Sequence, residues 1–126
     1  MHRSRLSTLL IDAPTAEATR SADFWSAALG ASPQVEPDEP QFISLRDAVP
    51  GLVTAVQAVD DAPRYHVDIE TDDVAAKVAR LTALGAVEES RWLDCRTLRA
   101  PGGHLLCVIP VHSDPAVFAQ RAHVWP

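Results

Sequence analysis

The chain has 126 residues, 47% hydrophobic and 22% charged, with a formal net charge of -6. That length makes one domain, able to bury about two-thirds of its unfolded surface. The acidic balance leaves no basic stripe to displace counterions from a nucleic acid, so that partner class is set aside.

Met1-His2-Arg3-Ser4-Arg5 is basic and reads as a short frayed end. The apolar run after it is only about six residues, too short for a signal-peptide core or a membrane span, so a cytoplasmic protein without a membrane partner is expected. Leu6 to Ile11 predicts the first strand, and Asp12-Ala13-Pro14-Thr15 the turn after it. Thr15 is the expected cap of a helix from Ala16 to Leu29, with Phe24, Trp25, Ala28 and Leu29 grouped on one side to pack it on a sheet. The proline- and acid-rich stretch from Ser32 to Pro40 reads as a loop or weak edge strand. Phe42 to Arg46 alternates polar and apolar side chains, and Gly51 opens a fourth strand, Leu52 to Val59. Asp60-Asp61-Ala62-Pro63 is the linker between the halves.

Tyr65 to Glu70 alternates again, which turns Val67 and Ile69 to a hydrophobic layer and His66, Asp68 and Glu70 to the other face. Asp72 is the expected N-cap of the next helix, since its carboxylate can accept from free first-turn amides. Val74, Val78, Leu81 and Leu84 recur at helical spacing, and Gly85 ends the helix. Val87 to Glu89 and Trp92 to Leu98 read as strands, and Pro101-Gly102-Gly103 turns into a last strand, His104 to Val111. A short helix from Pro115 to His123 is expected in the tail, with Trp125 docked on the body or on a neighbouring subunit. Cys95 and Cys107 are the only cysteines and are expected to be free thiols.

The two halves resemble each other. Ala28-Leu29-Gly30-Ala31 matches Ala83-Leu84-Gly85-Ala86, and Ser44-Leu45-Arg46 to Pro50-Gly51 matches Thr97-Leu98-Arg99-Ala100-Pro101-Gly102 with a shorter spacing. Two copies of roughly 50 residues are too few and too long for a solenoid, so a paired-module domain is the better reading. Module one is expected at 5–60, module two at 63–111, and a tail at 112–126.

At this point a family resemblance becomes specific. Phe24-Trp25-Ser26-Ala27-Ala28-Leu29-Gly30, His66-Val67-Asp68-Ile69-Glu70-Thr71-Asp72-Asp73-Val74 and Ala100-Pro101-Gly102-Gly103-His104-Leu105-Leu106-Cys107-Val108 resemble the vicinal oxygen chelate superfamily. That superfamily holds glyoxalase I, extradiol dioxygenases and bleomycin-resistance proteins, and its glyoxalase-like branch is the nearest in pattern. The resemblance implies an α+β fold: two tandem β-α-β-β-β modules forming a cupped, mostly antiparallel mixed sheet. It also implies a divalent-metal site, with one ligand from the first and last strand of each module. Here His66 stands at one such position and Cys107 at another, while Leu6-Ser7-Thr8-Leu9-Leu10 offers no histidine and Ala55-Val56 no glutamate. No cofactor is therefore expected, and His66 and Cys107 are the weak metal candidates; a cysteine in an apolar strand such as Cys107 is more often a small buried hydrophobe than a ligand.

Two function classes follow. The first is a binding protein that holds a small organic molecule in the cup between its modules, against Trp25, Phe42 or Trp92, with His66, Asp68 and His104 as polar partners. Alternating strand polarity accounts for Asp68 without a ligand, and an exposed turn accounts for His104. The second is a metal-dependent lyase or isomerase of the glyoxalase type, in which a metal would polarise a carbonyl or enediolate oxygen. A dioxygenase ranks behind both, since iron would need two histidines and a carboxylate with open positions. No phosphate-cradling loop or nucleophile elbow occurs. The family habit and the aromatic tail lead to the expectation of a homodimer.

Overall fold

Period-two alternation of apolar side chains sets which face of each strand is covered by a helix, and the two halves use the same device. The computed structural model describes residues 1–126. They form two compact units, Thr8–His66 and Met1–Ser7 with Val67–Pro126. The first strand, β1 (His2–Pro14), is longer than its apolar run and contributes its two ends to different units.

In the 8–66 unit, β1 leads through a 3-10 turn, Thr15–Glu17, into α1 (Ala18–Leu29), then β2 (Ser32–Val35), β3 (Phe42–Arg46) and β4 (Val53–Val59). The strand order is β2-β3-β4-β1, with β4 parallel to β1 and antiparallel to β3. Ile11, Ala13, Ile43, Leu45 and Val56 share one sheet face and pack against Ala18 and Ala22 of α1. Small alanines on the inner side of the helix let its backbone approach the sheet, and Trp25 closes the rim of this core. Each larger aliphatic side chain so buried contributes about 1.5–3 kcal/mol. Thr15 does not cap the helix: its hydroxyl donates to the Val59 carbonyl at 3.3 Å, and the chain enters α1 through the 3-10 turn instead. Gly30, at φ 69°, ends α1 in the left-handed conformation that a side chain would resist.

The second unit carries the repeat of that order. It comprises β5 (Arg64–Thr71, from Val67 on), α2 (Val74–Ala83), β6 (Val87–Trp92), β7 (Cys95–Arg99), β8 (Leu105–Pro110), α3 (Pro115–Arg121) and β9 (His123–Trp125). The strands run β1-β5-β8-β7-β6, with β9 added antiparallel to the start of β1. β5 and β8 are parallel, while β7 is antiparallel to both its neighbours. Val78, Ala86, Leu98, Leu106 and Val108 form the core, with Val67, Ile69, Val74 and Leu81 packed on it. The fold is thus α+β, with β-α-β-β-β twice over. No helix is long and apolar enough to cross a membrane.

Several boundaries differ from the sequence reading. The expected strand Trp92 to Leu98 is broken by a two-residue turn, since Trp92 pairs with Cys95 and Leu93 takes φ 53°. Leucine gives no turn signal, and this left-handed leucine is 81% exposed. The last helix ends at Arg121 because residues 123–125 extend to pair with β1. Trp125 docks within its own chain: its indole donates to Ser4 Oγ at 2.9 Å.

The cap of α2 is Asp73, not Asp72. The Asp73 carboxylate accepts from the Ala76 amide at 3.0 Å, whereas Asp72 accepts from the Arg3 amide at 2.7 Å and pairs with the Arg3 guanidinium at 3.0 Å. Adjacent aspartates offer the same cap signal, and the bond to β1 decides between them. Asp73→Ala is expected to cost about 1 kcal/mol in urea unfolding. Asp72→Ala should do so by loosening β1, with α2 helicity retained in circular dichroism.

Candidate functional site

The covered faces of both units are apolar, so chemistry concentrates on the faces without helices. In the 8–66 unit that face carries Leu10 and Asp12 of β1, Ala55 and Gln57 of β4, and Phe42 and Ser44 of β3, because these residues stand opposite one another in register. At the start of β5, Arg64 and His66 reach the same carboxylate. Asp12 Oδ2 lies 2.7 Å from His66 Nδ1 and accepts from Arg64 Nε at 2.9 Å. The Asp12 side chain has no exposure, and His66 is buried. A carboxylate oxygen against Nδ1 requires that nitrogen to carry the proton. Arg64 Nη1 donates to Asp61 Oδ2 at 2.8 Å. Burial alone would lower the Arg64 guanidinium's pKa, but the bonds and charges of Asp12 and Asp61 outweigh it and raise it. The second oxygen, Asp12 Oδ1, is buried without a hydrogen-bond partner.

Trp25 lies on the opposite, helix-covered side. Its ring meets Tyr65 edge-on at 6.5 Å and Phe24 at 5.3 Å. Tyr65 and His66 are neighbours on one strand and therefore point to opposite faces. A pocket of about 330 Å³ opens here, lined by Ile11, Ala13, Trp25 and Tyr65, with Asp12 and Arg64 also contributing to its wall.

In the second unit, Asp68 of β5 stands opposite Cys107 of β8, and Thr97 Oγ1 is 3.6 Å from Cys107 Sγ. Trp92 lies on β6, three strands from β5, and is 67% exposed. His104 sits exposed in the turn before β8. The structure therefore brings His66 to Asp12 and Asp68 to Cys107, and places Phe42 on the face of Asp12. It does not bring Trp92 or His104 to Asp68, nor Trp25 to His66. Cys95 and Cys107 are not joined in a disulfide.

Sequence reasoning missed Asp12, which it read as turn, and gave no role to Arg64, which it placed just before the predicted strand. The available signal was period two: Leu10 and Asp12 continue the alternation of β1 past the apolar run. It also left Glu70 without a partner. Glu70 is fully buried, accepts from the His112 and Ser113 amides at 3.0 and 3.1 Å, and pairs with Arg5 Nη1 at 3.4 Å. His112 Nε2 lies 3.3 Å from the same carboxylate and 3.1 Å from Ser7 Oγ. Burial would raise the Glu70 pKa, but the Ser113 side chain, the His112 and Ser113 amides and the His112 charge together hold it below the usual carboxylate value.

Residues 8–109 match the family of the glyoxalase-like domain. The chain belongs to that family. No curated protein matches it. Solved structures share the fold at low identity. A hypothetical protein from Bacillus halodurans is 9% identical with a TM-score of 0.64, covering 88% of this chain and 96% of its own. Methylmalonyl-CoA epimerase from Mycobacterium tuberculosis is 14% identical with a TM-score of 0.56, covering 90% and 91%. The 2,2',3-trihydroxybiphenyl 1,2-dioxygenase of Sphingomonas wittichii is 15% identical with a TM-score of 0.54, covering 92% of this chain and 44% of that one. Together the family match and these folds place this glyoxalase-like chain in the vicinal oxygen chelate superfamily.

The metal set expected of that superfamily can be checked against the side chains present. On the helix-free face of the 8–66 unit, β4 offers only alanine and glutamine at Ala55 and Gln57, and β1 offers Thr8 and Asp12. The Asp12 oxygen nearest His66 is already shared with Arg64. On β8 the residue facing Asp68 is a thiol, not a carboxylate. The glyoxalase-like chain thus lacks the paired histidine–glutamate set, and no step of its chemistry is assigned to a metal.

Proposed function

We propose that this glyoxalase-like protein binds a small organic molecule, held in the pocket beside Trp25 and Tyr65. The supporting observation is that pocket: about 330 Å³, walled by an edge-on aromatic pair, with Arg64 and Asp12 in its lining. Its volume sits at the small end of ligand sites, which are mostly apolar with a few fixed polar groups. Arg64 is such a group, since two carboxylates hold its guanidinium in place. The ligand's apolar part would lie on the rings and its polar part toward Arg64. A homodimer remains the proposed assembly, to be read by light scattering; Trp125, one motive for expecting it, is engaged within its own chain.

The test is a thermal-shift panel of small organic compounds, followed by titration of any hit. Trp25→Ala and Tyr65→Ala, folded by circular dichroism, are expected to weaken a hit at least tenfold, about 1.4 kcal/mol. A panel with no hit, or hits indifferent to both substitutions, would sink this reading.

A second reading is a metal-dependent lyase or isomerase. It is favoured by the Asp12–His66 pair, because a carboxylate on Nδ1 is the usual device that orients a metal-ligating histidine. Asp68 and Cys107 are residues of ligating type as well. Metal content by mass spectrometry, before and after chelation and beside His66→Ala, decides it: stoichiometric metal lost in the variant supports the lyase.

A further inference from the structure

β9 has only three residues, His123–Trp125, paired with Ser4, Arg3 and His2. A ladder that short is not stable alone, so side chains must hold it. The Trp125 ring lies 4.0 Å from the Arg80 guanidinium and 4.6 Å from the Lys77 ammonium, both on α2, and its Nε1 donates to Ser4 Oγ. Opposite Trp125 in register is His2, 3% exposed, with neither ring nitrogen partnered.

From this geometry we infer that His2 is an acid-sensitive latch: protonating its buried ring releases residues 123–125 from β1 while the rest of the second unit stays folded. A buried imidazole with no acceptor gains no hydrogen bond from the extra proton. Burial is the leading opposition, followed by the charges of Lys77 from α2 and of the Met1 amino group; Asp72 and Asp73, in the turn before α2, pull the other way without overcoming them. The His2 pKa is therefore below its ordinary value of about 6.5. A group depressed in this way is neutral and latched above that value. As pH falls below it, the detached state takes up the proton and is favoured. Between pH 7 and 5 the ratio of latched to released chain therefore falls.

Trp125 reports the event once Trp25→Phe and Trp92→Phe leave it as the sole indole. Its emission is expected to shift to the red from pH 7.5 to 5 while far-UV circular dichroism is unchanged. The His123 ring lies tilted against Trp125 with centroids 5.8 Å apart, so the shift must persist in His123→Gln. It must disappear in His2→Gln and His2→Leu. An equal shift in the His2 variants, no shift with His2 intact, or a shift accompanied by helix loss would overturn the latch. Should both His2 variants fail to fold at pH 7, amide exchange in the unsubstituted chain decides. The Trp125 amide, in register with His2, must then lose protection on acidification while Val108 keeps it.

Discussion

Glu70→Ala is expected to lower the unfolding free energy by about 3–5 kcal/mol, the cost of removing one partner from a buried charge pair. The carboxylate has no exposure, and the Arg5 side chain beside it is 8% exposed. Truncation would strand the Arg5 charge and leave the His112 and Ser113 amides without their acceptor, at about 1–3 kcal/mol for each buried group left unpaired. Arg5 keeps a 3.1 Å bond to Ser113 Oγ, which offsets a part. Glu70→Gln keeps an acceptor oxygen and the shape, and should cost less than half as much. Urea unfolding of the three proteins measures this, and an alanine variant within 1 kcal/mol of the parent would show the cluster to be solvated. The pH dependence follows from the downward shift of Glu70. A depressed carboxyl contributes stability that is complete above its unfolded value of 4.5 and is lost as pH falls through the lower folded value. Glu70→Gln should therefore flatten the acid limb of the stability curve as well as lower its plateau.

The paired-module order and both cores were legible because period-two and period-3.6 patterns are local. Val67 and Ile69 go to the core on alternation alone, and Val78 and Leu81 on helical spacing. What was hidden depended on pairing between distant segments. Asp12 belongs to a strand only because β1 continues along β4 as far as Pro14 and Val59, and its neighbours Ala13-Pro14 look like a turn. Arg64 stands just before the predicted strand with no local sign of a partner until its guanidinium meets Asp12, 52 positions earlier. The Glu70 cluster needs Arg5 and His112, which no local pattern joins. Trp25 was expected to pack α1 on the sheet or to line a ligand site; that its ring meets Tyr65 rather than His66 follows from which side of the sheet α1 covers.

Asp12→Ala carries the second large effect and bears on the function. Its carboxylate makes two charge-assisted bonds, to Arg64 at 2.9 Å and His66 at 2.7 Å, each worth about 1.5–3 kcal/mol. Against these stands the unpaired Oδ1, whose burial costs about 1–3 kcal/mol and is relieved by the substitution. The balance predicts a net loss of about 2–3 kcal/mol, smaller than for Glu70 because Arg64 is 34% exposed and keeps Asp61. Asp12→Asn should lose less, since an amide oxygen still accepts from Arg64. A double-mutant cycle with His66→Ala separates bracing from bulk stability. If Asp12 acts on His66, the two substitutions should be coupled by about 1–3 kcal/mol. The same variants then divide the two functional readings. In the binding reading, Asp12→Ala frees Arg64 to move and weakens a pocket ligand, while His66→Ala, on the other face from Trp25, leaves it unchanged. In the metal reading both substitutions lower metal content together, because the carboxylate that orients the histidine is gone. A ligand indifferent to Asp12→Ala and a metal content equal in all three proteins would leave Asp12 a purely structural brace.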